Sequence, residues 1–486
     1  MKKKSKWFQK AVSAVCVLSM MASLAACGSS GNSAEENSAK DAKQEEAEAV
    51  QETNVSEETG GGEEAAADQE TSGGDKVEIT VWHMLSGVGE EAFTQIVNDF
   101  NASQDKYHVV SEFQGSWYDS FAKFKATPKE SLPDIYQIVV ECMGYLKDSD
   151  YVIPIQDYID SEGFDVSGMQ ENIRSLYTID DTLYCMPLSV TMLSVSYNKE
   201  ALENAGVDVN SIKTIADLDA AAKKVVDAGE AKYGWSILSD GWQVEEYMCL
   251  SGDPTFDNNN GRSGQVTRCV MNDNGAADTI FNTFYEYLSK DYNYPPTTTI
   301  ASSDITTAFL TGDLAMLVGS SQWILKQESS IENFTLGQIA APITNEEVTG
   351  SFSPGGNGVW MIDKGDEEKQ RGAWEFIKYL WQDEVMGYYA AYTGYTPVST
   401  GAYNSQVYTE FREKKPFVEA IWKELEECRP EYVGAVFGSY YDFRNIVMDA
   451  FGQMFGDENF GPEDAVERII TQIDETIELY NEANPG

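Results

Sequence analysis

Residues 28–76 contain no Phe, Trp, Tyr, Leu, Ile or Pro, and they confine folding to the rest of the chain. The segment is mainly Glu, Ala, Ser, Gly and Gln, with 14 acidic and three basic residues. This composition cannot bury enough apolar surface to offset the entropy of ordering, so we predict a disordered acidic tether. About 49 flexible residues would span ~40 Å. Residues 77–486 are left to fold, and their number predicts two or more domain-sized cores.

The segment before the tether resembles a bacterial secretion signal. A basic start, Met1 to Lys6, precedes an apolar run from Ala11 to Ala25 that is too short to span a bilayer comfortably. The run ends in Leu-Ala-Ala-Cys, which resembles the lipobox of bacterial lipoproteins, where Cys27 would become the lipid-modified first residue. An ordinary signal peptide with a chance cysteine is the alternative. The resemblance implies a lipoprotein signal over 1–27 and a mature protein anchored by lipid at the extracellular face of the membrane.

Charge excludes one large class of function. The chain has 80 acidic and 34 basic residues. Removing the tether's share and the five lysines of the signal leaves residues 77–486 with 66 acidic and 26 basic residues, a net charge of −40. A surface of this sign does not bind nucleic acid. Any anionic ligand would have to be held by local donors against the overall field.

Cysteine and histidine give little chemistry. Five cysteines remain after the signal and Cys27, and their spacing matches no zinc pattern. They are Cys142, Cys185, Cys249, Cys269 and Cys428. Disulfides and small buried hydrophobic residues are both open interpretations. With only two histidines in the chain, a histidine-rich metal site is not expected, and we predict no cofactor.

Strands and helices alternate in the first part of the folded region. Strand composition marks 77–82, 107–113 and 135–140, and a helical pattern covers 89–100. This order predicts an α/β fold with a mainly parallel sheet. Ligands of such sheets bind beyond the carboxyl ends of the strands. The second half is more helical, and its predicted helices are 303–310, 367–381, 384–392, 407–427, 443–455 and 462–480.

Motifs of catalysis and of nucleotide binding are absent from the sequence. It contains no Gly-x-Gly-x-x-Gly, Walker, Gly-x-Ser-x-Gly or His-Glu-x-x-His pattern. Carboxylates are so abundant that a glycosidase pair can always be drawn, which removes the value of that signal. We therefore predict that the protein is not an enzyme, with a secreted glycosidase as the alternative.

Five segments together resemble the extracellular solute-binding proteins of carbohydrate-type ABC importers. They occur in the family's order along the chain: Ser131 to Ile135, Tyr197 to Gly206, Phe309 to Met316, Gly355 to Trp360, and Thr393 to Pro397. The resemblance implies a two-lobe periplasmic-binding-protein-like fold of type II, with a hinge and a ligand cleft between the lobes. It implies lobe 1 from 77–190 plus 355–398 and lobe 2 from 191–354 plus 399–486.

Within this family, the glycerol-3-phosphate-binding proteins are the most similar group. The correspondence rests on Val81-Trp82-His83, Gly115 to Tyr118, Val140-Glu141, Gly241-Trp242, Ser320-Ser321 and Arg444. Two departures weaken it: Val190-Thr191-Met192 replaces a Ser-Ser-Thr element, and a tryptophan is missing near Leu238. The resemblance implies ligand contacts from Trp82, His83, Tyr118, Glu141, Thr191, Trp242, Ser320, Ser321, Gly356, Tyr395 and Arg444.

These residue types suit a phosphate or a hydroxyl-rich ligand. Arg444 can donate two hydrogen bonds to phosphate oxygens or to vicinal hydroxyls, although a structural ion pair would also explain it. Glu141 can accept from ligand hydroxyls, and the rings of Trp242 and Tyr395 can stack on a ligand or pack in a core. We expect a small saccharide or a polyol phosphate, delivered by a monomeric protein to ABC permease subunits. A second alternative to the importer role is a sensor component, which binds the solute but passes it to a receptor.

Overall fold

The computed structural model describes residues 76–238, 240–299 and 302–485. The predicted signal, Cys27 and all but the last residue of the predicted tether lie outside the described residues. Within these ranges, no helix is long and apolar enough to cross a membrane.

Strands in the described ranges belong to two large sheets and one hairpin. They are β1 Val77–His83, β2 Tyr107–Phe113, β3 Ile135–Val139, β4 Val152–Ile153, β5 Thr178–Ile179, β6 Thr182–Leu183, β7 Met186–Thr191, β8 Leu193–Asn198, β9 Tyr233–Ile237, β10 Leu314–Ser320, β11 Leu336–Ala340 and β12 Gly355–Ile362.

Helices of the same ranges surround the sheets and dominate the C-terminal part. The first ten are α1 Val88–Ser103, α2 Trp117–Ala126, α3 Met143–Asp148, α4 Ile155–Glu162, α5 Glu171–Leu176, α6 Lys199–Asn204, α7 Ile215–Asp227, α8 Gly241–Ser251, the short left-handed turn α9 Asp257–Asn260 and α10 Ala276–Leu288. The others are α11 Ser302–Leu310, α12 Ser321–Leu325, α13 Glu367–Leu380, α14 Asp383–Thr393, α15 Thr400–Tyr403, α16 Gln406–Lys414, α17 Val418–Glu427, α18 Tyr440–Gly456 and α19 Pro462–Ala483.

The first sheet has the order β2-β1-β3-β12-β4, and β7 also pairs with β12. β1 runs parallel to β2 and β3, whereas β12 runs antiparallel to β3, β4 and β7. Helix α13 packs closely on β1 because Gly372 lacks a side chain. A Cβ there would lie 2.6 Å from side-chain atoms of Ile79 and Tyr107.

The second sheet has the order β11-β8-β10-β9. β10 is parallel to β9, and β8 is antiparallel to both β10 and β11. The chain passes from the first sheet to the second at Met192, between β7 and β8, and returns between β11 and β12. Because Gly355 and Gly356 pair with Thr191 and Val190, both crossings meet at one place.

The predicted α/β class is confirmed, and the strand 107–113 has the predicted bounds. The prediction of a mainly parallel sheet is wrong, because β8 and β12 each run antiparallel to the strands beside them. The single predicted helix 407–427 is also wrong, since Lys415-Pro416-Phe417 separates α16 from α17. A proline inside a helix removes a backbone donor and clashes with the preceding turn.

Candidate functional site

The side chain of Arg444 is held between two buried carboxylates. Its Nη1 forms an ion pair with Oε1 of Glu141, and its Nη2 lies 2.5 Å from Oε2 of Glu245. The Nε of Arg444 donates to the same Glu245 oxygen at 3.1 Å. Only 13% of the Arg444 side chain is exposed, against 4% for Glu141 and 7% for Glu245. We call these three residues the acidic cluster.

Three distant segments supply the acidic cluster. Glu141 lies in the 3-10 turn that follows β3, at the carboxyl end of that strand. Glu245 lies on α8, and Arg444 lies in the second turn of α18. α8 and α18 approach closely because Gly241 faces the Arg444 backbone, where a Cβ would lie 2.5 Å from Cα.

Carboxyl groups outnumber cationic groups around the guanidinium. Burial raises the pKa of Glu141 to about 7; Arg444 opposes this shift and Glu245 adds to it. Asp240, the N-cap of α8, is partly exposed, but the protein packed around its carboxylate still raises its pKa. Burial also raises the pKa of Glu246 well above its ordinary value. One guanidinium therefore serves several carboxylates, which does not favour a second anion.

Trp242 joins the acidic cluster to the place where the chain crosses between the sheets. Trp242 is buried, and its indole faces Gly355, where a Cβ would lie 2.8 Å from ring atoms. Gly355 pairs with Thr191 across the ladder. A Cβ on Gly356 would collide with the carbonyl of Ser189, so glycine is required there by close backbone approach.

A cluster of hydrogen-bonded hydroxyls lies beside this crossing and consists of Thr191, Ser320 and Ser321. Thr191 Oγ1 lies 2.8 Å from Ser320 Oγ and 3.0 Å from Ser321 Oγ. The backbone N–H of Gln322 also donates to Thr191 Oγ1. These hydroxyls satisfy one another, and they can exchange a partner for a ligand hydroxyl without leaving a buried group unpaired.

Tyr395 lies at the same crossing, next to Thr396, whose N–H donates to the Val190 carbonyl at 2.8 Å. Burial raises the pKa of Tyr395 to about 12; a hydrogen bond with Asn357 opposes the shift and the charge of Glu141 adds to it. Tyr395 therefore lies within electrostatic range of Glu141 and keeps its proton at neutral pH.

Tyr118 borders the acidic cluster at the surface. Its ring is 48% exposed and lies 4.8 Å, centroid to centroid, from that of Tyr441 on α18. Its pKa is raised by burial and by the charge of Asp240, while Arg444 opposes the shift. An exposed ring next to a polar cluster is suited to stacking on a sugar or polyol.

Trp82 and His83 are held within the first sheet. The Trp82 indole N–H donates to Glu112 at 3.0 Å, and Lys123 lies 4.2 Å above its ring. His83 is 2% exposed; its Nδ1 accepts from the Leu85 N–H. Burial lowers the pKa of His83 to about 4, so it is neutral at physiological pH. These contacts do not bring Trp82 or His83 to the acidic cluster.

Arg262 ties the segment 175–178 to the neighbourhood of the acidic cluster. Its guanidinium donates to the carbonyls of Ser175, Leu176 and Thr178 and to that of Gly434, at 3.0–3.2 Å. Gly434 in turn contacts the carboxylate of Glu245, which leaves no room for a Cβ.

Sequence reasoning missed Glu245, Asp240 and Tyr177. Glu245 and Glu246 had a detectable signal, since they interrupt the otherwise apolar run 244–250 with two adjacent carboxylates. All of α8 up to Leu250 is buried, so these charges are enclosed. Tyr177 had no signal, because it is one of 26 tyrosines and only the fold places it.

Metal and disulfide chemistry add nothing to this site. In 76–238, 240–299 and 302–485, no group of three or more His, Cys, Asp or Glu is arranged to hold a metal ion. The five cysteines that the sequence left unpaired are all buried and free. An open cavity of about 440 Å³, bordered by Lys147, Arg262 and Asn481, does not include the acidic cluster.

Residues 95–416 match the family described as bacterial extracellular solute-binding protein. The chain belongs to this family. The predicted family is therefore confirmed, and so is the prediction that the protein is a solute-binding component and not an enzyme.

Curated relatives extend the match over most of the chain. The sn-glycerol-3-phosphate-binding periplasmic protein UgpB of Rhizobium meliloti is 26% identical over 419 residues, which is 84% of this chain and 93% of the relative. The protein of the same name from Brucella melitensis is 25% identical over 422 residues, with the same shares.

Solved structures match the fold. The ABC substrate-binding protein Lmo0181 from Listeria monocytogenes, in complex with cycloalternan, has a TM-score of 0.70 at 18% identity and covers 83% of this chain and 100% of its own. UgpB from Mycobacterium tuberculosis, in complex with glycerophosphocholine, has a TM-score of 0.67 at 18% identity and covers 85% and 100%. The type II periplasmic-binding-protein fold is thus confirmed.

Replacing Arg444 with Ala should destabilise the protein strongly. The change leaves Glu141 and Glu245 buried without their cation, which typically costs about 3–5 kcal/mol. Chemical denaturation at pH 7.5 measures this loss. Adding Glu141→Gln and Glu245→Gln to Arg444→Ala should restore part of it, because the uncompensated charges are removed.

Arg371→Ala is the matched control for this prediction. Arg371 pairs with Glu162 at 2.9 Å but is 52% exposed, so its loss should cost only about 0–1 kcal/mol. Equal losses in the two alanine variants would contradict the role that we assign to the acidic cluster.

Stability should depend on pH through Glu141. An unfolded Glu has a pKa of about 4.3, so the folded protein, with a pKa of about 7, binds the proton more tightly. This contribution is complete below the unfolded value and is lost as the pH rises through 7. Between pH 4.5 and 8 the free energy of unfolding of the wild type should fall, relative to Glu141→Gln, by about 3 kcal/mol.

The measurement is a series of urea denaturations across this pH range. The exposed residue Glu130 provides the control, since Glu130→Gln should retain the slope of the wild type. Parallel curves for Glu141→Gln and the wild type would show that Glu141 does not titrate in this range.

Proposed function

We propose that this protein is the lipid-anchored solute-binding component of an ABC importer, which captures a small saccharide or polyol outside the cell. Membership of the extracellular solute-binding family supports the transport role. The lipobox-like sequence at Cys27 and the long acidic segment after it support the anchor and the tether. The protein with its solute bound would then be presented to the permease subunits of the importer.

The ligand class rests on one observation, the pairing of Arg444 with both Glu141 and Glu245. A phosphate would have to replace one of these carboxylates at the guanidinium and then lie beside it. Like charges at such short range repel strongly in a buried site. A neutral ligand has hydroxyls that both donate and accept, so it can bind carboxylates and tyrosines without this repulsion. We therefore favour a saccharide or polyol over a phosphate.

Closure of two lobes would enclose this ligand. We assign lobe 1 to 77–190 plus 355–398 and lobe 2 to 191–354 plus 399–486. On this assignment the pair of Glu141 with Arg444 and the ring contact of Tyr118 with Tyr441 both join the two lobes. The crossings near residues 190, 355 and 399 would be the hinge, since few residues there have to change conformation.

Glycerol phosphate compounds are the second candidate. The curated relatives named for sn-glycerol-3-phosphate cover 84% of this chain, which favours them. The same guanidinium would then have to exchange a carboxylate for the phosphate. The two candidates differ in charge, so direct binding measurements separate them.

Titration calorimetry of residues 75–486 tests the ligand class. We expect binding of a neutral saccharide or polyol, such as maltose, maltotriose or glycerol, and at least 10-fold weaker binding of sn-glycerol-3-phosphate. A ligand whose free concentration is 100 times its Kd should also add about 2.7 kcal/mol to the free energy of unfolding. Tighter binding of sn-glycerol-3-phosphate than of every neutral probe would establish the second candidate instead.

Membrane fractionation tests the anchor. Cys27→Ser should move the protein from the membrane to the soluble fraction, because the lipid is its only attachment in this proposal. Cys142→Ser is the control and should leave the protein on the membrane, since Cys142 is buried in the fold. A Cys27→Ser protein that stays with the membrane would exclude lipid anchoring at this residue.

A further inference from the structure

Tyr177 carries a buried hydroxyl with no hydrogen-bond partner among the described residues. The residue follows α5 and is 0% exposed. Oε2 of Glu141 is likewise buried without a partner, although Oε1 of the same carboxylate is paired with Arg444. Buried polar groups are almost always paired, because an unpaired one has lost its hydration without replacement. The described residues include eleven such atoms, and those of Tyr177 and Glu141 are singled out by what surrounds them.

The backbone on both sides of Tyr177 is fixed next to the acidic cluster. Arg262 holds the three carbonyls of 175–178 described above together with that of Gly434, which touches Glu245. Four hydrogen bonds from one guanidinium make this placement rigid. Tyr177 therefore belongs to a clamped turn that shares Arg262 with Gly434, the residue in contact with Glu245.

Electrostatics support the same neighbourhood. Burial raises the pKa of Tyr177 well above its ordinary value, with smaller contributions from Cys185, Glu141 and Tyr395. The phenol therefore keeps its proton at every physiological pH and can donate a hydrogen bond. Glu141 Oε2 is an acceptor when the carboxylate is ionised. The two atoms thus offer one donor and one acceptor.

We propose that Tyr177 is a specificity-determining residue, whose hydroxyl and Glu141 Oε2 bind hydroxyl groups of the same solute. The inference rests on the proposed function and deepens it. A ligand hydroxyl can accept from Tyr177 and donate to Glu141, whereas a phosphate or carboxylate oxygen can only accept. The pair therefore selects a carbon chain or ring with neighbouring hydroxyls. Because both atoms are enclosed, the solute reaches them by opening of the lobes.

Tyr177→Phe tests this assignment, since it removes one oxygen and keeps the ring. Calorimetry compares the variant with the wild type on glucose, maltose, maltotriose, glycerol, sn-glycerol-3-phosphate and glycerophosphocholine. Each probe that binds the wild type should bind Tyr177→Phe about 10- to 100-fold more weakly. The urea midpoint of the ligand-free variant should stay the same or rise, because an unpaired hydroxyl has been replaced by a group of the same shape.

Tyr247→Phe is the control for a buried hydroxyl with a structural partner. Tyr247 is also 0% exposed, and its hydroxyl donates to the Pro342 carbonyl at 3.0 Å. Its loss should lower the urea midpoint and leave affinity within twofold of the wild type.

The outcomes separate the inference from the proposed function. Unchanged affinity of Tyr177→Phe for a probe that binds the wild type overturns the inference alone. A urea midpoint lowered as in Tyr247→Phe also overturns it, since the hydroxyl would then have a partner in the ligand-free protein. Failure of every probe to bind the wild type overturns the proposed ligand class and the inference with it.

Discussion

The pairing of one buried arginine with two buried carboxylates is the interaction on which the candidate site depends. Removing charges from water is expensive, and mutual attraction offsets that cost only when the geometry is good and the remaining polar atoms are paired. In the acidic cluster the geometry is good for Arg444, but Oε2 of Glu141 has no partner among the described residues. The cluster is therefore electrostatically incomplete at one atom, and that atom is an acceptor.

The shortage of positive charge decides what can complete the cluster. Glu141, Glu245 and Asp240 all act on Arg444, and the pKa values of Glu141 and Asp240 are raised despite the arginine, by burial for Glu141 and by the protein packed around the carboxylate for Asp240. A donor such as a hydroxyl lowers the cost of the unpaired oxygen. An anion raises it. The arginine that looks from the sequence like an anion receptor is thus a counter-ion for the protein's own carboxylates.

Local patterns predict the fold well where neighbours along the chain decide the structure. The strand Tyr107–Phe113 and the helices near 367 and 462 follow from β-branched composition and from helical periodicity. Pairing is not local, so the antiparallel insertion of β12 between β3 and β7 could not be predicted from its own residues. The break at Pro416 is visible in the sequence as a proline inside a strong amphipathic pattern, which by itself predicts a continuous helix.

The candidate site also has a part that the sequence predicts and a part that only the fold determines. Family resemblance pointed to Glu141, Tyr395, Trp242 and Arg444, and the fold brings these close to one another through the crossing at Gly355. The family resemblance could not show that Glu245 shares Arg444 with Glu141, because that pairing depends on how α8 meets α18 at Gly241. Tyr177 lies in a turn held by Arg262 and by the Tyr184 N–H through carbonyl groups, which every sequence carries.

Solution pH connects the charge of the cluster with its capacity to bind. As the pH falls through 7, Glu141 gains a proton and changes from an acceptor into a donor. The protonated cluster has less internal repulsion, so the closed arrangement is favoured, but it no longer offers the same acceptor to a solute hydroxyl. For a neutral hydroxylated ligand the two effects oppose each other, because stability rises while the hydrogen bond to Glu141 weakens. For an anionic ligand they act together, since protonation removes the repulsion that excludes the anion. Affinity that falls as the pH is lowered through 7 would therefore exclude an anionic ligand, for which both effects favour binding.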